Sequence, residues 1–288
     1  MPNLFDHLDA VRQVLTASPF GLITDVDGTV SEIAPSPEEA RVSPVCREQL
    51  AILTKRLELV AAISGRPALE VRQMLGVEEM VYIGNHGLEQ WRDGAVRLAE
   101  EVGEYPTKVA AVLDELAETL TLDGILFENK TVGLSIHYRR CPDTQYAKML
   151  IMDTLTASSI VRDFRIQEGK MLIELRPLVE IDKGVAVKAL MTGYHLRGGI
   201  YLGDDISDVD AFRAMHQKLS GQSIRQAKGI RNRYHPASFK GLAIGVLGEE
   251  TPQKLEKEVD FTVNGVGEVE RFLAWLARVI PAPTRPRP

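Results

Sequence analysis

Little in this chain points toward a membrane, a disulfide scaffold or a nucleic acid. No apolar run approaches the roughly 18 residues that a membrane span requires. Cysteine is scarce: Cys46 and Cys141 are the only two in 288 residues. They show neither metal-site spacing nor a disulfide framework, so reduced structural thiols in a cytoplasmic protein are expected. Cationic residues are not in excess either. Lys and Arg number 34 against 40 Asp and Glu, a formal net charge of -6. That balance argues against the broad basic face that neutralises nucleic-acid phosphates, so an anionic small molecule has to meet a local basic cluster. The opening residues, MPNLFDHLDAVRQVL, carry acids among their apolar positions and do not read as a signal peptide.

What is present is an ordinary globular composition, 44% hydrophobic and 26% charged, at a length that suits a large α/β unit or a core with a smaller second module. Apolar runs ending in polar turns read as buried strands at Phe20–Thr24, Leu59–Ile63, Met80–Ile83, Gly199–Leu202 and Leu242–Val246. Helical spacing follows at Val45–Leu57 and Lys183–Met191. This alternation predicts a doubly wound, Rossmann-like parallel sheet covered on both faces. Ligands of such sheets bind beyond the carboxyl ends of the strands. The middle differs. Helical segments at Thr107–Leu120 and Asp143–Leu155 are interleaved with ILFE, VGLSIHY, VRDFRIQ and KMLIELRP, whose faces alternate. The expected organisation is a core over residues 1–103 and 181–280, an inserted α+β domain with an antiparallel sheet over 104–180, and a disordered Pro-rich tail over 281–288. A basic segment, 215–240, matches no element.

The chemistry begins at FGLITDVDGTVS, where a strand runs into Asp25 and Asp27, one residue apart and followed by Gly28. A lone Asp-Gly is most often a cap or a surface turn. A calcium loop fails, because the EF-hand pattern needs Gly at the sixth position and Glu at the twelfth, whereas here Gly28 is fourth and Ser36 twelfth. Phosphoryl transfer fits better, with one aspartate as nucleophile and the other as acid and base. A carboxylate with an ordinary pKa near 3.9 is ionised at neutral pH and needs no activating base. Magnesium would relieve both its repulsion from phosphate and the repulsion between the acids. A second acidic turn, YLGDDISDVDAF, offers Asp204, Asp205 and Asp208 after another strand. By themselves these acids would be helix caps; two such turns at the ends of parallel strands favour a metal site. Ser64, in AAISGRP, and Lys183, in EIDKG, supply a hydroxyl and a cation for phosphate, although each alone would read as a turn residue and a surface lysine.

The order DVDGT, SGR, DKG, GDDISD resembles the haloacid dehalogenase superfamily of phosphohydrolases. IGNHGLE (83–89), FENK (127–130), LSIHYR (134–139) and KMLIELRP (170–177) are similar to the trehalose-6-phosphate phosphatase family. The resemblance implies a core carrying a C2-type cap and a magnesium-dependent phosphatase for trehalose 6-phosphate, with an aspartyl-phosphate intermediate. It makes Asp25 the nucleophile and Asp27 the general acid and base. The metal falls to Asp25, the Asp27 carbonyl, Asp204 and Asp208, the phosphate to Ser64 and Lys183. Arg66 and His86 line the core side of the substrate site; Glu128, Lys130, Glu174 and Arg139 face the sugar from the cap. Ile206, Ser207 and Val209 depart from the Arg, Thr and Glu usual in the family. The implied partner is a small sugar phosphate, not a nucleic acid or a membrane, bound by a monomer or weak oligomer. Other sugar phosphates (sucrose phosphate, mannosyl- or glucosyl-3-phosphoglycerate) and a non-catalytic sugar-phosphate sensor are the alternatives.

Overall fold

The computed structural model describes residues 1–216, 239–248, 251 and 255–282. Most of the basic segment 215–240 and of the tail 281–288 therefore lies outside the described residues. The chain divides into two compact units, one of Met1–Val96 with Ile181–Pro288 and the other of Arg97–Glu180. Among the described residues no helix is long and apolar enough to cross a membrane.

The first unit is built on an eight-stranded sheet. In chain order its strands are β1 (Phe20–Thr24), β2 (Leu59–Ile63), β3 (Val81–Gly84), β4 (Glu89–Arg92), β5 (Ala95–Leu98), β10 (Gly198–Gly203), β11 (Lys240–Leu247) and β12 (Phe261–Asn264). Their spatial order is β12-β11-β10-β1-β2-β3-β4-β5. Pairing is parallel from β12 through β3 and turns antiparallel at β4. The pleat explains how one apolar run fills two cores: successive side chains point to opposite faces. Leu22, Val60, Ala62, Tyr82, Ile200, Leu202 and Ile244 pack with α1 (Leu8–Leu15), α2 (Pro44–Thr54), α3 (Ala68–Leu75) and α8 (Gly265–Val279). Their neighbours Ile23, Ala61, Ile63, Ile83, Tyr201 and Ala243 pack with α6 (Lys183–Gly193) and α7 (Val209–His216). This is the doubly wound core expected from the alternation. β12 and α8 extend it beyond the elements read from the sequence. The helix starts follow local rules: Pro44 is the first residue of α2, and the Ser43 side chain accepts the Cys46 N–H.

The second unit is an antiparallel sheet of β6 (Leu126–Asn129), β7 (Leu134–His137), β8 (Phe164–Gly169) and β9 (Leu172–Pro177), in the order β6-β7-β9-β8. One face carries Leu134, Ile136, Ile173 and Leu175 into a core with α4 (Tyr105–Thr119) and α5 (Thr144–Ala157). The alternate positions Glu128, Ser135 and Glu174 stand in register across β6, β7 and β9, on the other face.

Candidate active site

The site of the first unit grows from the register of the central strands. Thr24 pairs with Leu202, and the Asp25 N–H donates to the Leu202 carbonyl at 2.8 Å. Both acidic turns therefore leave the sheet side by side at its carboxyl edge. The β1 turn closes on itself, with the N–H groups of Thr29, Val30 and Ser31 all donating to the Val26 carbonyl. Gly28 has φ +77°, and a Cβ there would stand 2.1 Å from Asp204 Oδ2. A side chain at position 28 would both strain the backbone and displace the acid.

Asp25, Asp204 and Asp208 are all buried, and each offers a carboxylate oxygen within 4.8 Å of the others'. The Lys183 ammonium, 1% exposed at the start of α6, bridges Asp25 Oδ2 at 2.8 Å and Asp208 Oδ1 at 2.7 Å. Burial and the neighbouring Asp208 and Asp204 charges push the Asp25 carboxyl well above the usual carboxylate range, against the pull of Lys183. For Lys183, burial works against the charge, but Asp208 and Asp25 outweigh it and its pKa is raised. Three buried acids around the Lys183 ammonium form a set of hard oxygen donors, which fits a divalent cation such as magnesium.

Asp208 differs from the other two acids. Its Oδ1 accepts from Lys183 Nζ and the Tyr201 hydroxyl, each at 2.7 Å, and its Oδ2 accepts from the Asp204 and Asp205 N–H groups, each at 3.0 Å. Four bonds saturate a carboxylate, so Asp208 shapes the acidic turn. Asp205 caps the short turn Ile206–Asp208. Burial and the nearby acids hold the Tyr201 hydroxyl well above its usual pKa, which keeps it a donor.

Asp27 is gripped by Arg66, whose Nε donates to Oδ2 at 2.6 Å and whose NH2 group donates to Oδ1 at 2.9 Å. The guanidinium also donates to the Pro37 carbonyl at 3.0 Å and to Glu70. Burial lowers the Arg66 pKa, but the Asp27 and Glu70 partners reverse that and raise it. Ser64 is buried after β2, where its hydroxyl accepts the Arg66 N–H at 3.2 Å. The His86 N–H donates to the Ser64 carbonyl at 2.9 Å, and a Cβ on Gly65 would stand 2.7 Å from the His86 ring. The imidazole thus lies on the Ser64–Arg66 turn. Asp25, Asp27, Ser64, Arg66, His86, Lys183, Asp204 and Asp208, drawn from five separate chain segments, belong to this one unit.

In the second unit Lys130 Nζ donates to Glu174 Oε1 at 2.9 Å and lies 4.0 Å from Glu128 Oε1. Burial opposes the Lys130 charge, but Glu174 and Glu128 outweigh it and raise its pKa. The row includes three residues not singled out from the sequence. His137 Nε2 lies 2.8 Å from Glu128 Oε2, Ser135 Oγ donates to Glu174 at 3.3 Å, and Arg176 Nε donates to Glu174 at 2.9 Å. Strand alternation from Glu128 and Glu174 was the signal that would have found them. Arg139 is exposed, donates to the Lys170 carbonyl at 3.3 Å, and does not join this row. In the first unit the residues missed were Tyr201, which donates to Asp208, Thr29, whose hydroxyl donates to Asp204 Oδ1 at 3.4 Å, and Glu70, which accepts from Arg66.

Against known proteins, a family model described as trehalose-phosphatase matches residues 23–252. A probable trehalose-phosphate phosphatase of Sinorhizobium fredii is 32% identical over 72% of this chain and 77% of its own length. Probable trehalose-phosphate phosphatase 3 of rice, Oryza sativa, is 26% identical over 96% of this chain and 75% of its own. The C-terminal domain of Candida albicans trehalose-6-phosphate phosphatase shares the fold, with a TM-score of 0.73 at 20% identity over 97% of this chain and 99% of that one. A haloacid dehalogenase-like hydrolase from Bacteroides thetaiotaomicron does so at 0.60, with 16% identity over 89% and 98%. With the acidic turns, the buried lysine and the Ser64 turn all inside the matched span, the chain belongs to the trehalose-phosphatase family.

Proposed function

We propose that this protein hydrolyses trehalose 6-phosphate to trehalose and inorganic phosphate, with Asp25 as nucleophile. An Asp25 carboxylate oxygen attacks phosphorus, and the bond from phosphorus to the sugar oxygen breaks. Asp27 gives that oxygen its proton. A water molecule, deprotonated by Asp27, then attacks the aspartyl phosphate, releasing phosphate and regenerating the carboxylate. Lys183 holds Asp25 in place and supplies positive charge to the phosphoryl group, while the Ser64 hydroxyl and nearby N–H groups bind its oxygens. Magnesium fits the oxygen set of Asp25, Asp204 and the Asp27 carbonyl, with Asp208 orienting the turn. When bound, it neutralises charge that develops on the phosphoryl oxygens.

Arg66 orients Asp27 through its two bonds, and in the second unit Glu128, Lys130 and Glu174 are assigned the sugar hydroxyls. The observation that carries the reading is the buried Asp25–Lys183–Asp208 bridge beside Asp204, at the end of the central strands of a chain in this family. The test is phosphate release from a panel of sugar phosphates with added magnesium. Trehalose 6-phosphate is expected to give the highest kcat/KM, and Asp25→Asn to lose up to about 10⁶ in rate. Preference for sucrose phosphate or a glycosyl phosphoglycerate would reject the substrate. Turnover by a folded Asp25→Asn protein would reject the nucleophile.

A further inference from the structure

We infer that Glu89, the first residue of β4, is the positioning residue that fixes the phosphate-handling turn Ser64–Arg66 against the His86 turn. The inference rests on the phosphatase reading of Ser64 given above. Asn85 and His86 have φ of +49° and +58°, and Gly87 has +115°. Two successive non-glycine residues in the left-handed region cost of order 1–3 kcal/mol each and persist only where the surroundings hold them. Backbone bonds supply part of the hold: the Asn85 N–H donates to the Arg66 carbonyl at 2.9 Å, and the His86 N–H donates to that of Ser64 at 2.9 Å. The two turns also meet closely, since a Cβ on Gly84 would stand 2.2 Å from the Ala68 nitrogen.

Glu89 joins both sides of this contact. Its carboxylate is 4% exposed and accepts the Ala68 N–H at 2.6 Å, at the start of α3 and two residues after Arg66. It also accepts a bond from the Asn85 side chain. One buried side chain therefore grips the helix that follows the Ser64–Arg66 turn and the strained turn whose imidazole lies on Gly65. If that grip is lost, His86 and the Ser64 turn shift together, and displacements near 1 Å at a catalytic site cost about 10²-fold.

The experiment reads the competitive inhibition constant of inorganic phosphate, measured in the full-length enzyme with saturating magnesium. Loss of folded enzyme lowers the rate but leaves this constant alone, so a purely structural role for Glu89 does not move it. Glu89→Ala is expected to raise it about tenfold or more, and Glu89→Gln, whose amide oxygen still takes the Ala68 N–H and whose amide pairs with Asn85, to restore it to within about threefold. Asn85→Gly approaches the same contact from the other side without backbone strain, and it is expected to weaken phosphate in the same direction even if Glu89→Ala does not fold. Unchanged constants in folded Glu89→Ala or Asn85→Gly would overturn the inference, as would Glu89→Gln as impaired as Glu89→Ala. Ser64→Ala separates the premise: if it leaves phosphate affinity intact, the phosphate reading of the turn and the role of Glu89 fall together. If Ser64→Ala weakens phosphate and Glu89→Ala does not, only the positioning role falls.

Discussion

Replacing Lys183 by methionine removes the cation that bridges two buried acids while keeping the volume of the side chain. At 2.8 Å from Asp25 and 2.7 Å from Asp208, each contact is worth about 6 kcal/mol of Coulomb energy at an effective dielectric constant near 20. Burying the ammonium cancels much of that. Breaking a buried ion pair from one side costs about 3–5 kcal/mol because the partner charge is left unpaired. Lys183→Met is therefore expected to lose about 3–5 kcal/mol of the roughly 5–15 kcal/mol that hold a domain together, read as a fall in the urea midpoint in the presence of a chelator. The sign with pH follows from the raised pKa of Lys183. A raised folded pKa contributes stability that is fully present below the unfolded value, about 10.4, and is lost as pH rises through the folded one. The contribution of the Lys183 charge itself should then persist across neutral pH and be lost only in strong alkali. A loss below about 1 kcal/mol, which is what an exposed pair gives, would refute the assignment of a buried, charged bridge.

Asp204→Asn is expected to weaken magnesium activation and turnover together, and excess chelator to stop the wild-type enzyme reversibly; full activity in chelator would rule out the metal reading. Glu128→Ala and Glu174→Ala are expected to depress kcat/KM for trehalose 6-phosphate by as much as about 10⁴ while sparing p-nitrophenyl phosphate, since a site built to bond hydroxyls rejects analogues that lack them. Equal losses on both esters would remove these residues from sugar recognition. Burial pushes Cys46 up to about 12, so its thiol should resist a disulfide reagent in the native protein near pH 8 and react on unfolding. Burial also raises the Glu89 carboxyl above 4.5. The native state then binds the proton more tightly than the unfolded chain, and stability should fall as pH rises through the folded pKa. Glu89→Gln, titrated in urea across this window, should flatten that component of the profile.

The features legible along the chain are local ones. The runs Phe20–Thr24 and Leu59–Ile63 are β1 and β2 to the residue, because a strand buried on both faces is a continuous apolar run that ends where polar side chains begin. The same logic marks Asp25 and Asp204 as acids at the ends of strands, and Lys183 as the start of a helix. β10 exceeds its apolar run at both ends and β11 at its start, since backbone pairing continues through Gly198, Gly203, Lys240 and Gly241, whose side chains give no hydrophobic signal. β12 and α8 went unread, although Val266, Val269, Phe272, Leu273 and Leu276 form one helical stripe that could have marked the helix.

Which of these residues meet is settled by the folding of the chain. Pairing of Thr24 with Leu202 sets Asp25 beside Asp204, and α6, packed on the Tyr201 face of the sheet, delivers Lys183 between Asp25 and Asp208. Spacing along the chain carries no trace of such pairings, because they depend on strand order and crossovers over more than a hundred residues. Over shorter spans the same holds for the Arg66 grip on Asp27 and the reach of Glu89 to Ala68. In each case a residue ordinary in its own segment acquires a role because burial removes water as its partner, and the only groups left to satisfy it come from a distant turn.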